Sequence, residues 1–255
     1  HSFQIEDISK YLGLPNYITV ENVLELYAGM NFLAKKFNCP ISGGDIISSP
    51  KGLLISISVL GEVEKNFLTL RSKACAGDMI CVTGELGEVH GGLELLQKAK
   101  KDKRLKFSKG LVQKHLTPQP KILESQKIIK NLKPTSMIDI SDGLAAEVSH
   151  IAKASGLGAV IYETEIPVSP KAKQAGKILN KNPLNWVLYG GEEYELLFTM
   201  PKSKVKDLIK LSKKIKLTLV GEMRKELGVY LVKRDGKKER IRTGEVGSYT
   251  SQILT

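Results

Sequence analysis

The 255-residue chain contains 42% hydrophobic and 26% charged residues, which is typical of a globular protein with a sizeable core. No stretch approaches the ~18 consecutive apolar residues of a membrane span, and no basic segment leads into an apolar signal core, so the chain is predicted to be cytoplasmic with no membrane partner. The net charge of +12 would suit nucleic acid, but the lysines lie in segments such as 201–216 that keep an apolar helix face, which favours a solvated surface.

The cysteines and histidines give little support for a metal or redox site. Cys39, Cys75 and Cys81 are odd in number, occupy apolar runs and lack CxxC spacing. We therefore expect three buried free thiols. The four histidines are scattered along the chain, which argues against a histidine-centred metal site.

The first half of the chain alternates helical and extended patterns. Apolar residues recur at three- and four-residue steps over 21–37, which predicts an amphipathic helix. A short strand bounded by Pro40 and a glycine pair follows, and the alternation over 52–63 indicates another strand. The segment 77–97 is predicted to form a strand over 79–83, a glycine-rich turn and a helix.

The second half continues the alternation. Its predicted helices span 117–132, 144–155, about 169–180 and 205–215, and its predicted strands span 136–140, 158–163, 194–200, 216–223 and 228–232, the last before a polar tail. Strands that alternate with helices indicate an α/β or α+β protein with mixed sheets. We place a domain boundary near residue 117, giving an amino-terminal part over 1–116 and a carboxy-terminal α/β part over 117–255.

Three glycine-bearing stretches fall at strand junctions and could approach a phosphate group. They are "SGGDIISS" (42–49), "TGELGEVHGGL" (83–93) and "YGGEEYELLF" (189–198). Glycine permits positive φ and lets a ligand reach backbone N–H groups. None of the three is a P-loop or a dinucleotide fingerprint, so those two solutions are disfavoured.

Acidic residues accompany the glycines or turns: Asp45, the pair Asp139 and Asp142, and the pair Glu192 and Glu193. A carboxylate repels phosphate unless a hard cation lies between them, and Mg²⁺ is usually held by one or two carboxylates together with substrate phosphates. The pattern therefore favours metal-bridged phosphate binding. The alternative is that these acids cap helices or solvate loops, and spacing alone leaves both interpretations open.

Five segments, in order, resemble thiamine-monophosphate kinase. They are "PISGGDI" (40–46), "LRSKACAGDMICVTGELGEVHGGLELL" (70–96), "HLTPQPKI" (115–122), "MIDISDGLAAEVSHIAKASG" (137–156) and "YGGEEYELLFT" (189–199). That family belongs to the superfamily of aminoimidazole ribonucleotide synthetase, selenophosphate synthetase and a hydrogenase maturation factor. The resemblance implies a two-part fold of that type, with the amino-terminal part incomplete here, and a homodimer formed through that part with ATP near the subunit interface.

The resemblance also implies roles for individual residues. Asp45, Asp139 and Asp142 would be catalytic Mg²⁺ ligands, and several Mg²⁺ ions would take part. The expected ATP contacts are Tyr27, Gly44, Asp45, Arg71 and Ser141. Glu192 is expected to contact thiamine, and Tyr249 is the candidate aromatic that stacks on it, because a carboxylate and an aromatic face suit a cationic ring.

The sequence departs from the family in three respects. No "GDDAA"-like or "TTD"-like motif, which would hold further Mg²⁺ ions, precedes the resemblance. We expect the encoded protein to contain an amino-terminal segment that this sequence lacks, the alternative being a truncated product. Glu193 stands where the family usually has Asp, and Ile46 where it usually has Thr, and we expect both to tune binding.

The function implied is transfer of the ATP γ-phosphoryl group to thiamine monophosphate, giving thiamine diphosphate. The acceptor is already an anionic oxygen, so positioning and charge neutralisation matter more than a strong base. The alternatives are another ATP-using enzyme of the same superfamily and a non-catalytic protein that binds nucleotide or thiamine phosphates, with nucleic-acid binding third.

Overall fold

A computed structural model of the chain describes residues 3–101 and 109–241. The chain divides into two compact units, His1–Leu68 and Thr69–Thr255. The boundary expected near residue 117 stays a prediction.

The first unit is a three-stranded sheet with one long helix. Its elements are β1 (Phe3–Leu14), α1 (Val20–Lys36), β2 (Ile41–Ser48) and β3 (Leu54–Val63). Strand β1 is central, parallel to β2 and antiparallel to β3. The predicted helix over 21–37 is therefore confirmed, and Thr19 begins it through a capping box with Asn22.

The glycine pair of the "SGGD" segment lies inside β2 and does not bound the strand. Gly44 has φ +148°, and a Cβ placed there would come 1.8 Å from the carbonyl oxygen of Lys10. Lys10 is the direct neighbour of Gly44 across the β1–β2 pairing. Only glycine therefore allows β1 and β2 to approach at this point.

The second unit contains a seven-stranded mixed sheet with the order β10-β9-β6-β8-β4-β7-β5. In chain order its elements are β4 (Met79–Thr83), α2 (Glu88–Lys101), α3 (Lys109–Leu116), α4 (Ile122–Leu132), β5 (Ser136–Asp139), α5 (Leu144–Ser155), β6 (Gly158–Tyr162), α6 (Pro170–Leu179), α7 (Pro183–Tyr189), β7 (Leu196–Met200), α8 (Val205–Ser212), β8 (Leu217–Arg224), β9 (Val229–Val232) and β10 (Lys238–Arg240). Strands β6 and β9 are parallel and the other pairs are antiparallel. The predicted mixed α/β class is confirmed.

Apolar residues on both faces of this sheet form the core. Alternate strand residues face opposite sides, so Val82 and Leu197 pack with helices α5 and α7, while Cys81 and Phe198 pack with α4 and α8. Phe198 is completely buried. The sheet therefore lies between two helical layers, and its strand ends are left for the loops.

Several elements were not anticipated from the sequence. Strands β1 and β10 and helices α3 and α7 are additional, although α7 begins with an Asn cap followed by proline, a recognisable start signal. Cys39 and Cys81 are buried as predicted, but the prediction is wrong for Cys75, which is exposed in a turn before β4. No helix among the described residues is both long and apolar enough to span a bilayer.

Candidate active site

Three chain segments meet at one edge of the seven-stranded sheet. Strand β7 lies between β4 and β5 and is antiparallel to both, with Val82 opposite Leu197 and Asp139 opposite Leu196. The segments after β4 and β5 and the segment before β7 must therefore emerge together. We call residues 84–89 the first segment, residues 140–143 the second segment and residues 190–195 the third segment.

Backbone hydrogen bonds join the second and third segments directly. The N–H of Tyr194 donates to the carbonyl of Ile140 at 2.9 Å, and the N–H of Glu192 donates to the carbonyl of Ser141 at 2.8 Å. In the reverse direction the N–H of Ile140 donates to the carbonyl of Glu195 at 2.7 Å. The "DISDGL" and "GGEEYEL" motifs are thus one structural unit, although about fifty residues separate them in sequence.

Three carboxylates surround the phenol of Tyr194 where these two motifs meet. Burial raises the pKa of Tyr194, and the nearby carboxylates of Glu192, Asp139 and Asp142 raise it further. All three carboxylates belong to exposed residues. The site therefore presents accessible oxygen ligands of the kind that Mg²⁺ and cationic substrates prefer.

Asp142 does not cap helix α5, and the turn that carries it is held by Glu147 instead. The N-cap of α5 is Gly143, and no side-chain cap bond is formed there. Glu147, only 1% exposed, instead reaches back and accepts hydrogen bonds from the hydroxyl of Ser141 at 3.2 Å and the N–H of Asp142 at 3.1 Å. Its other oxygen lies 3.2 Å from Nδ1 of His150. The Asp142 carboxylate is thereby left available to a ligand.

Buried acids of the third segment attach it to the end of β4 and to the first segment. Thr83 donates to Oε2 of Glu195 at 2.6 Å and accepts from the N–H of Leu196 at 2.8 Å. Lys121 lies 3.0 Å from Glu195, which offsets the cost of burying that carboxylate. Burial raises the pKa of Glu193 to about 7, against the opposing effect of Lys114.

A cleft of about 430 Å³ lies between α2 and α7, next to the glycines of the third segment. It is lined by His90, Trp186, Tyr189 and Gly190, with Glu94 and Lys181 forming an ion pair at its rim. A Cβ at Gly190 would come 2.8 Å from His90 and 2.3 Å from the carbonyl of Trp186, so glycine is required for this packing. Burial lowers the pKa of His90.

The predicted site residues fall in both units. Tyr27, Gly44 and Asp45 belong to the first unit, where Lys10 Nζ lies 4.1 Å from the centre of the Tyr27 ring. Asp139, Ser141, Asp142 and Glu192 come together in the second unit. Arg71 is exposed in that unit, and its carbonyl accepts a hydrogen bond from Ser155. Tyr249 lies outside the described residues.

Within residues 3–101 and 109–241, no group of three or more His, Cys, Asp or Glu side chains is arranged to hold a metal ion. Asp139 and Asp142 provide a pair of carboxylates, which is the number that Mg²⁺ commonly takes from protein when phosphates complete its shell. Their combination with Asp45 in one metal site stays a prediction.

The sequence interpretation missed three residues that shape the site. Glu147 lies three residues after Leu144 on the apolar face of its helix, and an acid on such a face is a signal of a buried hydrogen-bonding role. Tyr194 and Lys114 carry no comparable signal, because their contacts come from segments distant in sequence.

The fold and this site define the class of the protein. Residues 76–233 match the model of the AIR synthase related protein, C-terminal domain, which covers the entire seven-stranded sheet except β10. Solved structures of hydrogenase maturation protein HypE share the fold, for example one from E. coli with a TM-score of 0.74 at 20% identity.

Closer relatives identify the family. Thiamine-monophosphate kinase of Aquifex aeolicus is 35% identical over 227 residues, covering 89% of this chain and 69% of the relative. The enzyme of Buchnera aphidicola subsp. Schizaphis graminum is 39% identical over 213 residues, covering 80% of this chain and 62% of the relative. The structure of AaThiL complexed with AMPPCP and TMP has a TM-score of 0.81 at 32% identity, covering 93% of this chain and 72% of that one. The chain belongs to the thiamine-monophosphate kinase family, a family of enzymes, and spans 57 to 69% of the length of the curated relatives.

Proposed function

We propose that this protein transfers the γ-phosphoryl group of ATP to the phosphate of thiamine monophosphate. The observation that carries the proposal is the set of hydrogen bonds between the Asp139–Asp142 turn and the Glu192–Tyr194 loop, which brings a pair of aspartates next to an exposed glutamate. The complex of a relative with AMPPCP and TMP supports ATP as co-substrate and thiamine monophosphate as acceptor.

The exposed carboxylates of Asp139 and Asp142, with Asp45 of the first unit, are the groups that would hold Mg²⁺. When bound, Mg²⁺ supplies positive charge that offsets the repulsion between two polyanionic substrates. Glu147 accepts hydrogen bonds from the N–H of Asp142 and the hydroxyl of Ser141, and this holds the turn so that the Asp142 carboxylate is available to the metal ion. Gly44, Ser141, Arg71 and Tyr27 are proposed ATP contacts, and guanidinium is the best donor to phosphate oxygens.

Glu192 is the proposed contact to the organic part of thiamine monophosphate. Its carboxylate is 59% exposed and lies 3.7 Å from Nδ1 of His115. An exposed carboxylate in an acidic site attracts the cationic thiazolium ring, whereas ATP would be repelled from the same position. Tyr249 remains the proposed stacking aromatic.

The test is ADP release by the full encoded protein with thiamine monophosphate or formylglycinamidine ribonucleotide as acceptor. We expect Mg²⁺-dependent turnover with the first alone, and a large loss of turnover in Asp139→Asn with little loss of stability. Asp207→Asn is the matched control, because Asp207 is a half-exposed aspartate on α8, on the other side of the sheet. Near-normal turnover in Asp139→Asn would refute the ligand assignment. Tight binding of both substrates without turnover would favour the non-catalytic alternative.

We further propose a homodimer formed through the first unit. Ile55, Ile57 and Val59 alternate along β3, so they share one face, and each is 41 to 55% exposed. Exposed apolar rows of this kind are typical of interfaces. Light scattering should show a dimer for the full encoded protein and a monomer for Ile57→Asp. Ile209→Asp, at a similarly exposed isoleucine of α8, should stay dimeric. A dimer unaffected by Ile57→Asp would reject this surface.

A further inference from the structure

The loop 190–195 alternates between exposed and buried side chains. Glu192 and Tyr194 are exposed, while Glu193 and Glu195 are 3% and 2% exposed. Glu192 (φ 66°) and Tyr194 (φ 51°) both adopt left-handed backbone, which is disfavoured for residues with a Cβ. Such a conformation persists only where the surroundings hold it in place.

Glu193, between these two residues, adds a side-chain attachment to the backbone hydrogen bonds that join the loop to Ile140 and Ser141. Its Oε1 accepts hydrogen bonds from the N–H of Gly87 at 2.7 Å and of Val89 at 3.1 Å. Both N–H groups lie at the start of α2, where unpaired donors and the helix dipole favour an anion. A carboxylate more than a hundred residues away in sequence thus accepts from two N–H groups at the start of a 14-residue helix.

Lysine side chains balance the buried charge around Glu193. Lys114 Nζ lies 3.9 Å from carboxylate oxygens of Glu88, Glu193 and Glu195. Oε2 of Glu193 is buried and has no hydrogen-bond partner among the described residues, so Oε1 carries the attachment. Glu88 has a separate attachment, to the hydroxyl of Ser169, and does not bond to the loop.

We propose that Glu193 is a positioning residue for the acceptor substrate: by fixing the loop to the start of α2, it turns Glu192 outward at the angle that recognises thiamine monophosphate. This inference rests on the proposed role of Glu192. Glu193 itself touches no substrate, since its carboxylate is sealed inside the second unit. The turn that carries Asp142 has a second support in Glu147, so loss of Glu193 should weaken acceptor binding much more than ATP binding.

The experiment compares KM for thiamine monophosphate with KM for ATP in Glu193→Ala, Glu193→Asp and Glu193→Gln. Glutamine keeps an oxygen acceptor at the same reach and should stay near wild type. Aspartate is one methylene shorter and should raise the acceptor KM severalfold, and alanine should raise it about tenfold or more. The KM for ATP should rise much less than the acceptor KM in each variant, because Glu147 supports the turn that carries Asp142. The Asp and Gln variants keep the test valid if the Ala variant does not fold.

Two further variants separate the possible outcomes. Glu88→Ala removes a buried carboxylate beside the same lysine and should leave the acceptor KM unchanged, so an equal rise there would show general damage and overturn the inference. Glu192→Gln should raise the acceptor KM by itself. If Glu192→Gln leaves the acceptor KM unchanged, the proposed function of Glu192 is wrong. If Glu192→Gln raises the acceptor KM but none of the Glu193 variants does, only the positioning role of Glu193 is wrong.

Discussion

Glu193 should make the stability of the second unit depend on pH. Its carboxyl has a pKa of about 7 in the folded chain, against 4.5 for an ordinary glutamate, because burial disfavours the charged form. The carboxylate of Glu195 raises this pKa as well, whereas Lys114 and the hydrogen bonds from the N–H groups of Val89 and Gly87 lower it. Glu88 is the other acid next to Lys114.

The sign follows from the raised pKa. Below pH 4.5 the carboxyl is protonated in both states, and its contribution to stability is fully present. As the pH rises towards 7, the unfolded chain releases the proton while the folded chain retains it, so stability falls. A shift of this size corresponds to a loss on the order of 3 kcal/mol across the interval. Glu193→Gln cannot titrate, so it should gain stability relative to wild type by about that amount between pH 4.5 and 7.5.

Urea unfolding at several pH values tests this expectation. Trp186, the single tryptophan, is 4% exposed in the second unit, and its fluorescence therefore reports on that unit. A difference between Glu193→Gln and wild type that stays constant from pH 4.5 to 7.5 would refute the reasoning, since it would mean that Glu193 titrates alike in both states. Glu88→Gln, at a carboxyl that faces the same lysine, is the control for general changes in the acid cluster.

Glu147→Ala should raise the Mg²⁺ concentration needed for half-maximal turnover, because the turn that carries Asp142 loses a buried hydrogen-bond acceptor. Glu147→Gln keeps an acceptor and should recover most of the loss. Equal behaviour of the two variants would argue against the role of Glu147 in supporting the turn. Gly190→Ala should lower the thermal midpoint, since a Cβ 2.3 Å from the Trp186 carbonyl forces overpacking that typically costs about 1–3 kcal/mol. Gly52→Ala is the comparison, because Gly52, like Gly190, does not have a left-handed backbone, and its Cβ would meet open space. Iodoacetamide on the native protein should modify Cys75 alone, because Cys39 and Cys81 are buried and burial raises the pKa of Cys81 to about 12; mass mapping of a Cys81 adduct under native conditions would contradict the fold.

Local sequence patterns were sufficient to predict an element's bounds where the residues that form it are close together in the chain. The helix α5 was expected over 144–155, and the structure has it at those bounds with Gly156 as a left-handed cap, because the apolar spacing and the glycine cap are properties of one short segment. Strand β4 was likewise predicted at its observed bounds. Strand β1 was missed, since its pattern is weak and its pairing partners lie as far along the chain as Val63, the partner of Phe3.

The sequence by itself determined the α/β class, the acidic motifs and the pairing of glycines with acids, since these depend on residue type and short-range order. Tertiary structure alone decided that Asp139, Asp142 and Glu192 share one acidic site and that Glu193 faces inward while Glu192 faces out. The physical reason is that β7 pairs with both β4 and β5, so the ends of three distant segments meet, and a buried carboxylate must then find its partners across that meeting point. Neither the antiparallel register nor the identity of those partners can be deduced from spacing along the chain.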